Sequence, residues 1–176
     1  IAEKLNQSYS VQDTSRTLSS EVGRLFGQKD TTIILYLFQS RTGELGISAS
    51  QKGLMEINLK EKKGDLYDKW VVKNLQALLI EDSKNDFRFD LERVHTEDAR
   101  LVRSLMSVPL MISNKAIGIL RLDSPRPNFF QADKLRLLTT IADMGAVAIE
   151  NAQLYEKIED LAIRDSLTGL FLRRHF

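Results

Sequence analysis

Cysteine is absent from the 176 residues, which removes disulfides, thiolate metal sites, thiol redox sensing and any thioether-linked chromophore together. Histidine is nearly absent as well: His95 and His175 lie far apart in sequence, and no paired metal-ligand spacing surrounds either one. No glycine-rich phosphate loop occurs. Apolar runs stay well short of the roughly 18 residues that a membrane span requires, and no signal peptide opens the chain. Nor is there an excess of one charge. Twenty-five Lys and Arg stand against 24 Asp and Glu, a balance that argues against a nucleic-acid or anionic-membrane surface.

What is present is an ordinary globular composition, 43% hydrophobic and 28% charged, enough to bury one core. Cytoplasmic placement without membrane contact by these residues is the expectation. The chain starts at Ile1 rather than Met, so it reads as a segment of a longer protein, which leaves room for an anchor upstream.

The longest pattern is amphipathic and runs from Asp133 to Arg164, with no proline and only Gly145 as an interruption. It predicts a helix. Met144, Val147, Asn151, Leu154, Ile158 and Leu161 alternate by three and four, the seam spacing of a two-stranded coiled coil. Leu138, Ala142, Gly145, Ile149 and Ala152 form a second stripe, so one face suits the domain and the other a partner. Asn151 on the seam would pair with its twin across a parallel two-fold axis, fixing register and strand number. The competing reading leaves Asn151 in solvent on a helix of period 3.6.

In chain order, Ile1 to Phe26 has helical spacing, weak across the Ser- and Thr-rich middle and with a break expected near Asp13; Gly27 suits its C-cap. Thr31 to Gln39 and Glu44 to Gln51 predict an antiparallel hairpin whose first strand is apolar on both faces and therefore central. Met55 to Leu59 is extended, Lys60 to Asp65 a charged turn, and Asp65 caps a short helix carrying Trp70. A strand from Gln76 to Asp82 precedes an irregular insert. Ser104 to Ile112 is a strand whose Pro109 calls for an edge or bulge, Ser113 to Lys115 a tight turn, and Ala116 to Asp123 a further strand in which Gly118 invites close approach. Phe129 and Phe130 sit where a hydrophobic staple would precede the last helix. This order predicts an α+β fold built on an antiparallel sheet.

The phrases Asp82-Ser-Lys-Asn-Asp-Phe-Arg-Phe, Ser107-Val-Pro-Leu, and Ala116-Ile-Gly-Ile-Leu-Arg-Leu-Asp followed by Phe129-Phe-Gln-Ala-Asp133, in that element order, resemble GAF domains across residues 15–155. The resemblance implies a sensor module, commonly dimeric, with N- and C-terminal helices on one face of the sheet and a loop- and helix-covered pocket on the other. Trp70, Asp82, His95 and Arg103 are the candidate pocket side chains, each also readable as ordinary loop or packing residues. His95 could serve as an axial haem ligand, as in some GAF sensors; a lone surface histidine is the bland alternative. The ligand itself is unknown, with a small molecule or nucleotide the expected class. Cyclic-nucleotide-binding GAF domains carry a split Asn-Lys…Phe-x-x-x-Asp-Glu pattern. Phe129 and Asp133 match its second half, while Lys134 replaces the glutamate and the only Asn-Lys pair, Asn114-Lys115, falls in the preceding turn. Methionine sulfoxide reductases of this fold need catalytic cysteines and are set aside.

Finally, Asp165-Ser-Leu-Thr-Gly-Leu-Phe-Leu-Arg-Arg-His-Phe176 resembles the opening of GGDEF domains, the diguanylate cyclases; Leu172 stands where asparagine is usual. The resemblance implies four parts: an N-terminal helix or linker over 1–14, the sensor over 15–155, a coiled-coil signalling helix over 144–164, and the start of a cyclase over 165–176. Asp165, Leu167 and Thr168 would be the junction. The cyclase, with Mg and GTP as its requirements, would lie beyond this chain, which itself has no catalytic residues. The expected unit is a parallel homodimer regulating cyclic di-GMP synthesis, and the alternative is a ligand-free dimerisation module.

Overall fold

The computed structural model describes residues 10–59, 64–89 and 101–173, with side chains through Asp165. Helix α1 (Val11–Phe26) starts at Ser10, whose Oγ accepts the Asp13 N–H at 3.0 Å. The boundary expected near Asp13 therefore lies three residues earlier, with Asp13 in the first turn, where a carboxylate favours the helix N-terminus. Strands β1 (Thr32–Phe38), β2 (Leu45–Lys52) and β3 (Met55–Glu56) follow, then α2 (Leu66–Asn74), β4 (Leu78–Ile80), β5 (Ser104–Ile112), β6 (Lys115–Ser124) and α3 (Ala132–Arg173). All six strands pair antiparallel, in the order β3-β2-β1-β6-β5-β4. The fold is α+β.

Two apolar layers sandwich the sheet. On β1, Ile33, Leu35 and Leu37 join α1 and α3 on one face, while Ile34 and Tyr36 meet α2 on the other. That alternation is the period-two consequence of the pleat, and it explains why a strand apolar at every position belongs in the middle. The β5–β6 hairpin turns through Ser113 (φ +47°) and Asn114 (φ +64°), two left-handed residues of the kind a two-residue hairpin loop demands. Pro109 lies beyond Leu78↔Ser107, the last β4 pairing, so its missing N–H leaves no ladder partner stranded there; a bulge follows between Leu110 and Met111.

Helix α1 runs antiparallel to α3. Leu18 packs on Gly145, while the Val11 N–H donates to Glu156 Oε1 at 2.9 Å. A Cβ at position 145 would come within 2.5 Å of Leu18 Cδ2, so glycine there sets the close approach of the two helices. Buried Thr14, Ser15 and Ser19 account for the weak apolar periodicity of α1, because small polar residues let it lie close to β2. Ser48 Oγ donates to Ser15 Oγ at 2.7 Å, and Gln12 Nε2 to the Ser48 carbonyl at 3.0 Å.

Helix α3 continues to Arg173 rather than ending near Arg164. Its inner stripe, Leu138, Ala142, Gly145, Ile149 and Ala152, is buried. From residue 153 to Arg173 it runs on for about 30 Å at 1.5 Å per residue. No buried side chain is described in that extension.

Gly118 is closely approached, as its position in the β6 pattern suggested: a Cβ there would lie 2.1 Å from the Tyr36 carbonyl oxygen, across the central pair of strands. Gly118→Ala is expected to destabilise the domain by about 1–3 kcal/mol through forced backbone displacement. Urea unfolding checks this, and a loss below about 0.5 kcal/mol, the level of a neutral surface change, would contradict the close-approach account.

Candidate functional site

The face of the sheet under α2 holds the most unusual chemistry among the described residues. On β6, Leu120 and Leu122 point to the helical layer, so Ile119, Arg121 and Asp123 point to α2. Asp65 caps α2 by accepting the N–H groups of Tyr67 (2.9 Å) and Asp68 (3.3 Å), and Asp68 Oδ2 accepts the Asp65 N–H in return at 2.9 Å. This reciprocal box turns both carboxylates toward the sheet. Arg121 meets them there: Nη1 lies 2.7 Å from Asp65 Oδ2 and 2.9 Å from Asp68 Oδ2, and Nε donates to Asp123 Oδ1 at 2.7 Å. Arg121 and Asp68 are both fully buried.

Three carboxylates thus converge on one guanidinium, whose carbon lies 5.5 Å from the Tyr67 ring centroid. Burial works to discharge Arg121, yet Asp123, Asp68 and Asp65 together hold its pKa well above the ordinary value. Burial also works against ionised Asp65, but the Arg121 charge and hydrogen bond keep that carboxyl below its usual range. At Asp68 burial wins over Arg121, with Asp65 adding to the rise, and its pKa is pushed up to about 7. Asp68 Oδ1 and Arg121 Nη2 are buried without a hydrogen-bond partner in the structure. The cluster can hold charge and bind a proton; among the described residues no nucleophile paired with a base stands beside it.

Of the pocket residues expected from sequence, Trp70 sits on α2, half-buried, its ring 6.5 Å from Phe89, which stacks edge-on to Tyr67 at 4.8 Å. Asp82 and Arg103 bind one another. Arg103 Nε donates to Oδ1 at 2.9 Å and Nη2 to Oδ2 at 2.8 Å, and this hydrogen bonding holds Asp82 below the usual carboxylate range. Together with the Ser83 N–H on the Arg103 carbonyl (2.7 Å), the fork fastens the two ends of the insert. His95 lies outside the described residues. Phe129, offered by the cyclic-nucleotide pattern, stacks on Phe130 at 4.8 Å and is flanked by Arg126 and Lys134; Asp133 belongs to the first turn of α3. Asn114 lies in the β5–β6 turn, and Lys115 opens β6.

Two of the grooves among the described residues are open to solvent as follows. One of about 390 Å³ runs along the outer edge of β2 beside Gln12, Arg16 and Ile57. The other, about 520 Å³, lies between Leu79, Asp82, Phe87 and Arg88. Neither reaches Arg121. The seam positions of α3 are also open: Met144, Val147, Leu154, Ile158 and Leu161 are 37–65% exposed and Asn151 is exposed. Asp165 is exposed on α3, and Leu167 and Thr168 lie on its helical backbone.

Sequence reading missed the Arg121 cluster. Leu-Arg-Leu-Asp in a strand reads as ordinary polar alternation, and the only available signal was that the neighbouring strand β1 is apolar on both faces, leaving no solvent for β6 to face.

A six-stranded antiparallel sheet between a helical pair and a short capped helix defines a class of small α+β domains. The chain belongs to the GAF domain family, whose model matches residues 10–149. It is 27% identical over 153 residues to the formate hydrogenlyase transcriptional activator FhlA of Escherichia coli K12, covering 84% of this chain and 22% of that protein. The same-named activator of Salmonella typhimurium LT2 is 30% identical over 95 residues, 53% of this chain and 14% of that one. The chain therefore spans between about a seventh and a fifth of the curated relatives it matches. In fold it is similar to the GAF domain of an Acinetobacter phosphoenolpyruvate-protein phosphotransferase (TM-score 0.70, 19% identity, 87% of this chain and 90% of that one).

Arg121→Met would leave three buried carboxylates without their cation and is expected to cost at least about 3 kcal/mol of stability or abolish folding. Arg103→Met, at the partly exposed fork, should leave most of the stability in place. Denaturation of both variants decides; equal effects would contradict the ranking of the two sites.

Proposed function

We propose that this chain is the regulatory input module of a bacterial signalling protein and that paired α3 helices carry its state to an output domain. The observation that carries the reading is the double character of α3. Its inner stripe is consumed by the sheet, while the stripe from Met144 to Leu161 is exposed and continues beyond the domain. A parallel pair of such helices has one rotational and one axial degree of freedom, either of which can reposition whatever follows it.

The likeness of Asp165–Phe176 to the opening of diguanylate cyclases favours a cyclase as that output, with Asp165, Leu167 and Thr168 at the junction. Making cyclic di-GMP requires two GTP-loaded sites facing each other, with Mg, so helix separation or rotation would set the rate through proximity. The GAF domain would contribute no catalytic group. A ligand would act only through different affinities for two arrangements of the dimer. The FhlA relative is named as a transcriptional activator, so a different output on the same input helix is the rival on that side.

A second reading, a ligand-free dimerisation module, is favoured by the α2 face itself, which Tyr67, Phe89 and Arg121 fill with the protein's own side chains. Thermal-shift screening separates it from a metabolite sensor, because a ligand at 100 times its Kd adds about 2.7 kcal/mol.

Sedimentation velocity on the chain should give a dimer, and Asn151→Leu should change its register or oligomeric state by removing the one polar seam residue. A wild-type monomer at tens of micromolar, or unchanged sedimentation and cross-linking in the variant, would defeat the paired-helix reading. Cyclic di-GMP synthesis by a polypeptide carrying this chain, sensitive to Asn151→Leu, tests the output.

A further inference from the structure

We propose that the buried cluster at Arg121 is a proton-operated latch that fastens α2 to the sheet, closed when Asp68 carries a proton and loosened when it does not. The inference rests on the geometry of the cluster and is independent of whether the domain senses a metabolite.

One guanidinium faces three carboxylates within 2.9 Å, so with all of them ionised the described site would hold two negative charges beyond its cation, out of water. Like charges at such separations do not all ionise in a buried site; one proton is retained. Geometry then favours Asp68 over Asp65. Asp68 is fully buried, as Asp123 nearly is, and its Oδ1 has no hydrogen-bond partner, so an ionised form would leave a bare charged oxygen in the core. Asp65 is more exposed at the helix cap and accepts two backbone N–H bonds, which favour its ionised form. A neutral Asp68 keeps its Oδ2 bonds to the Asp65 N–H and to Arg121 while shedding the repulsion from Asp65 and Asp123.

The described tyrosines and the arginine that face Asp68 do not compete for that proton near neutrality. From β1, Tyr36 is held far above its ordinary value by burial and by Asp68 itself. From α2, Tyr67 is pushed up to about 12, chiefly by burial. From β6, Arg121 stays charged, and Asp123 shares its guanidinium.

The direction follows from linkage. Asp68 rises from 3.8 to about 7 on folding, so the folded state binds the extra proton; the stability it confers is complete below about pH 4 and is lost as pH rises through about 7. Asp65 moves the opposite way, and its contribution is lost only as pH falls below the ordinary carboxylate range. Between about pH 4 and 7 the cluster therefore answers to Asp68. Because α2 carries Trp70, the single tryptophan of the chain, movement of the latch has a built-in optical reporter.

The test is urea unfolding of the whole chain, followed by Trp70 fluorescence at several pH values from 5 to 8, in wild type and Asp68→Asn. Wild type should lose up to about tenfold in its folded-to-unfolded ratio per pH unit from this one proton, and Asp68→Asn should remove that slope. Equal slopes in the two proteins would overturn the latch. Should Asp68→Asn fail to fold, NMR titration of the wild-type Asp68 carboxyl carbon decides: a midpoint near neutrality supports the proposal, and one near 3.8 overturns it.

Discussion

The antiparallel β1–β6 pair has no side that faces water, and the rest of the domain is arranged around that constraint. A strand buried on both faces must either be apolar throughout or carry polar residues that bring their own partners. Strand β1 takes the first course almost entirely; β6 takes the second, placing Arg121 and Asp123 on the α2 side and Leu120 and Leu122 on the other. The glycine at 118 lets the two backbones close on one another where a side chain would hold them apart.

The two faces then acquire different mechanical characters. On the helical side, α1 and α3 pack antiparallel through small residues and apolar stripes, which gives a dense layer with little room for adjustment. On the other side a nine-residue helix is seated on a charge cluster, one of whose members is pushed close to physiological pH. Apolar packing carries no titratable group, whereas a buried cluster with more anions than cations responds to pH. Regulation would enter through α2 and leave through α3, with the sheet between them as the rigid connection. The two elements lie on opposite faces of the sheet, with Arg121 on one side of β6 and Leu120 and Leu122 on the other.

Legibility in the sequence followed the range of the interactions concerned. The hairpins, the caps at Gly27 and Asp65 and the two stripes of α3 depend on neighbours within a few residues or on periodicity, and each could be read residue by residue; Gly118 invited a close approach by its residue type, while the strand pairing supplied Tyr36 as the partner. Asp82 and Arg103 were picked out as pocket polar groups; in the structure they pair with each other, Asp82 also lining the groove beside Phe87, because the β4–β5 pairing brings the two ends of the insert together. The helix start, placed near Asp13 from the sequence, falls at Ser10, and Thr14, Ser15 and Ser19 look like loop residues until a sheet lies against them.

From its own order of residues the chain determined an antiparallel α+β sheet, its central strand and a long helix with one face to spare, because periodicity and local capping set those outcomes. Tertiary structure alone decided that Arg121 is a core residue and that Asp65, Asp68 and Asp123 share it. Asp68 and Arg121 stand 53 positions apart, and no pattern along the chain records which side of a strand will meet water and which will meet another charge.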